Sequence, residues 1–151
     1  MRYVHLAFGD GLGVYEMPRC GLETAPRLGA PRILVVEDEP LIRFAIAEAL
    51  RELGVSVVEA ASAEEAWRYL MSGESVDLVF TDHRMPGSMT GAQLAIRIRR
   101  EYPSLVVIVT SAYFDDQGWS EPVIEKPYNL FEVANALTER ARDRQQREGD
   151  L

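Results

Sequence analysis

The run Ile33-Leu34-Val35-Val36 contains no polar residue and is followed at once by Glu37, Asp38, Glu39 and Pro40. A continuous, mostly β-branched stretch suits a strand buried on both faces, as happens where helices cover a sheet from both sides. Pro40 suits the first turn of a helix. Leu41, Ile42, Ala45, Ile46, Ala49, Leu50 and Leu53 then form a helical stripe, which Gly54 stops. A buried strand, three acids and an amphipathic helix thus follow one another directly.

The alternation repeats down the chain. "VSVVEA" alternates more and reads as an edge strand, and Ser62 with Glu65 makes a capping box for a helix carrying Ala66, Trp67 and Leu70. "VDLVFT" is a third strand. Thr90 with Gln93 caps a third helix through Leu94 and Ile98 that ends before Pro103. "LVVIVT" (Leu105 to Thr110) is again fully apolar, and "PVIEK" is a short strand placed at an edge. Asn129 and Glu132 open a last helix with Leu130, Val133, Ala134 and Leu137 inward. Strands and helices in this order predict an α/β fold, a parallel sheet with helices on both faces. Ligands of such sheets bind at the carboxyl ends of the strands, near the switch in strand order.

Composition narrows the function. The 151 residues suit one domain with a real core. A net charge of -8 argues against non-specific nucleic-acid binding, which needs a basic footprint, but leaves divalent cations and basic protein surfaces open. A single cysteine, Cys20, excludes an internal disulfide and fits a reducing compartment. No apolar run of about 18 residues is present, so the chain reads as a soluble, cytoplasmic protein with no membrane partner. Residues 1–31 hold 5 of the 11 glycines, too many breakers for a core of their own, and read as an N-terminal extension, flexible or an interaction arm. Within it, "YVHLAF" (Tyr3 to Phe8) can form a strand if an edge is offered. The expected domain spans 32–141, with 142–151 as a polar C-terminal tail.

The polar residues collect at the strand ends: Glu37 and Asp38 after the first strand, Asp82 after the third, Thr110 and Ser111 after the fourth, Lys126 after the fifth. Two carboxylates about 4 Å apart repel by roughly 4 kcal/mol at an effective dielectric of 20, so such a cluster needs a proton, a lysine or a metal. Oxygen donors without cysteine or ligand-spaced histidine point to Mg²⁺ or a similar hard ion rather than zinc. An acid-rich helix start explains Glu37, Asp38 and Glu39 on its own, but not Asp82 and Lys126 at other strand ends.

With "VVEDEP", "VFTDHRMPG", "VIVTSAY" and "EKPY" in order over about Ile33 to Ala141, the chain resembles the receiver domain of bacterial two-component response regulators. The resemblance implies a flavodoxin-like, doubly wound five-stranded parallel sheet of order 2-1-3-4-5. It implies Asp82 as phosphoacceptor, with Thr110 and Lys126 assisting. Mg²⁺ (or Mn²⁺) would be held by Glu37, Asp38, Asp82 and the backbone carbonyl of Arg84. A cis Lys126–Pro127 bond is also implied. The partner would be a sensor histidine kinase or a histidine phosphotransfer protein, and the chain would catalyse only its own phosphorylation and dephosphorylation.

Two departures stand out. Only 15 residues lie between Thr110 and Lys126, so the fourth helix is expected to be short, distorted or absent, with "DDQGWSEP" as loop. Val123 stands three before Lys126, where many receivers carry an aromatic switch residue, and Tyr113 or Tyr128 is the expected substitute. The expectation is a single-domain response regulator without direct DNA binding, able to form a homodimer through the N-terminal extension by strand addition. The alternative is a receiver-fold interaction module that works without phosphorylation. A dehalogenase-type phosphatase would need an aspartate where Arg84 stands.

Overall fold

Alternation along each central strand sorts the core into two layers. Leu34, Val36, Val79, Val107, Val109 and Val123 belong to one buried cluster, and Ile33, Val35, Leu78, Phe80, Ile108 and Ile124 to the other. Successive side chains of a strand point to opposite faces, so a run without polar residues requires cover on both sides. The computed structural model describes residues 3–8, 11–16, 29–112 and 122–149. Its strands are β1 (Tyr3–Phe8), β2 (Gly11–Glu16), β3 (Arg32–Val36), β4 (Ser56–Ala60), β5 (Leu78–Asp82), β6 (Val106–Ser111) and β7 (Val123–Glu125). The helices are α1 (Pro40–Glu52), α2 (Ala63–Met71), α3 (Gly91–Glu101) and α4 (Leu130–Gly149). Trp67, Leu70, Leu94 and Ile98 of α2 and α3 close one face of the sheet, and Ile46, Leu50, Val133 and Leu137 of α1 and α4 the other.

The sheet order is β2-β1-β7-β6-β5-β3-β4. Strands β4, β3, β5, β6 and β7 are parallel and reproduce the expected order 2-1-3-4-5. The β1–β2 hairpin extends this sheet antiparallel beyond β7, through a pairing of Ala7 with Val123. "PVIEK" is therefore not an edge. Its Val123 and Ile124 are buried, and another strand lies on the side expected to be open.

Local chemistry sets the element ends, with three corrections. Thr90 and Gln93 form the full reciprocal box at α3. Ser62 accepts from the Glu65 N–H, but the Glu65 carboxylate turns to the N–H of Ala61 at 2.7 Å, so the box at α2 is only half made. Leu41 is 78% exposed, because the buried stripe of α1 runs along Ile46, Ala49 and Leu50 while the first turn stands beyond the covered sheet. The last helix runs past the expected domain end at 141, into the expected polar tail, as far as Gly149. Its polar side chains hold it down: Arg142 donates to the Leu53 carbonyl at 3.0 Å, and Arg144 to that of Val76 at 2.9 Å. Gln145 donates to the Asp77 carboxylate at 3.0 Å. The "DDQGWSEP" segment, the fourth helix expected there, Tyr113, Trp119 and Cys20 lie outside the described residues.

Candidate functional site

Parallel pairing brings the polar strand ends to one edge of the sheet. Asp82 and Thr110 are register partners on β5 and β6, and the His83 N–H donates to the Thr110 carbonyl at 2.8 Å. Lys126 follows β7 and its N–H donates to the Ser111 carbonyl at 2.9 Å, so its side chain enters from the next strand across. The Lys126–Pro127 bond is cis. The Lys126 ammonium donates to Asp82 Oδ1 at 2.9 Å and lies 3.6 Å from Glu37 Oε2. Thr110 Oγ1 sits 3.4 Å from the same Asp82 oxygen, long for an O–H···O bond, and is buried.

Glu37 arrives from the end of β3. Its N–H donates to the Ala60 carbonyl at 3.1 Å, Arg43 donates to its carbonyl at 2.7 Å, and its carboxylate accepts from the Glu39 N–H at 3.2 Å. Glu37, Asp38 and Asp82 each place a carboxylate oxygen within 4.8 Å of the others. Glu37 is only 4% exposed. Burial pushes its carboxyl pKa up, opposed by the Glu39 N–H and Lys126 and reinforced by Asp82 and Asp38. Burial alone would lower the Lys126 ammonium, but the hydrogen bond and charge of Asp82, with the charge of Glu37, outweigh it and the net shift is upward.

One ammonium against three carboxylates leaves excess negative charge in a pocket of hard oxygen donors, without cysteine or histidine in the cluster. That donor set fits Mg²⁺. Arg84 is exposed and His83 is half-buried. Trp67 is a packing residue: it meets Tyr102 edge-on at 5.9 Å, and the Arg97 guanidinium lies 3.9 Å above its ring. Among the described residues, no helix is long and apolar enough to cross a membrane.

Two contributors were missed by sequence reasoning. A Cβ at Gly91 would lie 1.6 Å from the Asp82 carbonyl oxygen, so the start of α3 can press against the end of β5 only as glycine. The visible signal was a glycine directly after the Thr90 cap. The second is Glu64, whose carboxylate accepts three hydrogen bonds from Ser88 and Met89 in the loop after Asp82. Its place among the acids of a helix start concealed this.

Residues 33–129 match the response regulator receiver domain, and the chain belongs to that family of two-component signalling proteins. It is 32% identical over 119 residues to a cyclic di-GMP phosphodiesterase of Thermotoga maritima, covering 74% of this chain and 31% of that one. Against the sensor kinase CckA of Brucella abortus it is 33% identical over 119 residues, with 74% and 12% of the two chains covered. The chain thus spans about a third or less of the length of these two relatives. Among solved structures it resembles the response regulator TrrA of Thermotoga maritima, determined in complex with Mg²⁺ and BeF, with a TM-score of 0.65 and 32% identity over 73% of this chain and 98% of that one. A CheY-like receiver protein of Methanospirillum hungatei matches with a TM-score of 0.68 over 79% and 99% of the chains, and at 23% identity it shows the shared fold.

Proposed function

We propose that the chain is a response regulator that accepts a phosphoryl group on Asp82 from a sensor histidine kinase or a histidine phosphotransfer protein. A carboxylate oxygen of Asp82 forms the new O–P bond as the N–P bond of the donor phosphohistidine breaks, and the imidazole nitrogen leaves with the electron pair. The observation that supports this reading is Asp82 at the end of a buried strand, with Lys126 at 2.9 Å and Glu37 and Asp38 beside it.

Lys126 orients the Asp82 carboxylate before transfer and faces the new phosphoryl oxygens after it. Thr110, buried at the register position next to Asp82, donates its hydroxyl to one of those oxygens. Glu37 (through water), Asp38, Asp82 and the Arg84 carbonyl would hold Mg²⁺ or Mn²⁺, which when bound neutralises charge on the carboxylates and the transferring group.

Incubation with acetyl phosphate and Mg²⁺ is expected to give an acid-stable, base-labile phosphoryl adduct on the wild type and none on Asp82→Asn. Equal labelling of the two proteins refutes the assignment. One observation favours a module that works without phosphorylation: Val123 is 2% exposed in the core, so no aromatic ring stands at that position to move with Thr110. An unlabelled wild type would select that second reading.

A further inference from the structure

Glu64, in the first turn of α2, reaches across to the loop between Asp82 and α3. Its Oε1 accepts from the Ser88 N–H at 2.6 Å, the Ser88 hydroxyl at 2.6 Å and the Met89 N–H at 3.0 Å. The loop backbone passes close to the Glu64 carboxylate, in a conformation that favours glycine. Gly87 has φ of +124, and a Cβ there would lie 2.8 Å and 3.1 Å from the two Glu64 carboxylate oxygens. The Ser88 hydroxyl first, then the backbone N–H of Glu64 itself and those of Ser88 and Met89, hold the Glu64 carboxyl down at about 2, so it stays an ionised acceptor throughout the neutral range.

Among the described residues the loop has further anchors. The His83 N–H donates to the Thr110 carbonyl and the His83 carbonyl accepts from Ala92, while Met85 is buried in the core and Thr90 caps α3. Arg84 lies between the site end of the loop and the part that Glu64 grips. Three donors converging on one oxygen fix the loop where side-chain packing is sparse, since Pro86, Gly87 and Ser88 are exposed.

From this we infer that Glu64 is a positioning residue of the phosphoacceptor site: it clamps the loop that borders Asp82 and carries the Arg84 carbonyl, and so sets the affinity for the divalent ion. The inference rests on the phosphoacceptor reading. Partners that orient metal ligands from outside typically change metal affinity by about 10–100-fold when removed.

The test titrates Mn²⁺ into unphosphorylated full-length wild type, Glu64→Ala, Glu64→Gln and Ser88→Ala, reading free Mn²⁺ by electron paramagnetic resonance, with urea unfolding run in parallel without metal. Glu64→Ala is expected to bind Mn²⁺ about tenfold or more weakly. Glu64→Gln should recover most of the loss, because its amide oxygen accepts from the same donors. A merely structural role would move the urea midpoint and leave the metal affinity of the folded protein alone. Mn²⁺ binding by Glu64→Ala within about twofold of wild type overturns the proposal. If that variant does not fold, Ser88→Ala decides: weaker binding supports the clamp, and unchanged binding overturns it. A wild type that binds no Mn²⁺ removes the phosphoacceptor reading itself, and the clamp with it, an outcome seen before any variant is compared.

Discussion

Replacing Gly91 with alanine is expected to disable the site without removing any of its polar side chains. The added Cβ would lie 1.6 Å from the Asp82 carbonyl oxygen, 2.8 Å from the carbonyl carbon and 2.8 Å from Thr81 Oγ1. Relaxed C–H···O contacts settle at about 3.3 Å, so the end of β5 and the start of α3 must part by roughly 1.7 Å. The obstacle is mostly backbone, held in the β5–β6 ladder, and cannot rotate away. Overpacking costs about 1–3 kcal/mol, and this contact belongs at the upper end. The effect on chemistry is larger, because misplacing a reacting group by 1 Å costs about 100-fold in rate. The assay pairs urea unfolding with the initial rate of Asp82 phosphorylation by acetyl phosphate and Mg²⁺. Gly54→Ala is the control: Gly54 has φ of +78 with nothing within 4 Å of a Cβ. It should lose about 1–2 kcal/mol without slowing phosphorylation. A Gly91→Ala protein with wild-type stability and a rate within about threefold of wild type, against the 100-fold expected, refutes the account of how Asp82 is held.

Two further outcomes follow from the charge imbalance of the site. Mg²⁺ at about ten times its Kd should stabilise the folded protein by about 1.4 kcal/mol, seen as a rise in Tm of about 3–6 °C for a domain of this size. Glu37→Gln should lose most of that rise, and a wild-type Tm indifferent to Mg²⁺ would count against a metal in the cluster. Because the folded-state pKa of Lys126 is raised, its pairing with Asp82 and Glu37 contributes fully below the ordinary lysine value of about 10.4 and is lost as pH climbs through the higher folded value. The gap in urea midpoint between wild type and Lys126→Met should therefore stay constant from about pH 7 to 9 and close only above about pH 10.4. A gap already closing below pH 9 would contradict the pairing.

Much of the fold was legible because its signals are local. Ile33–Val36 and Leu105–Thr110 read as doubly covered strands from their lack of polar residues, and both layers of core formed on them. Thr90 with Gln93 closed the predicted box. The site residues were legible for a related reason. A parallel sheet delivers every strand end to one edge, so Glu37, Asp38, Asp82, Thr110 and Lys126 had to be neighbours once the strands were placed, and their side chains do meet there.

What escaped the sequence depends on distances across the fold. Glu64 stands beside Glu65 in the first turn of α2, yet it holds a loop 24 residues away. Nothing around Gly91 in the sequence announces the Asp82 carbonyl that lies against it. Residues 142–151 read as a polar tail, but Arg142, Arg144 and Gln145 find the Leu53 carbonyl at the α1 terminus and the Val76 carbonyl and Asp77 carboxylate just before β5. The β7 strand looked like an edge because nothing local announced that β1 would lie beside it. Periodicity and residue type thus determined which residues form strands, which faces turn inward and which chemistry gathers at the strand ends. Only the tertiary structure decided which side chain reaches which loop and where a Cβ has no room. Those outcomes depend on separations of a few ångströms between elements, which packing sets and no single segment encodes.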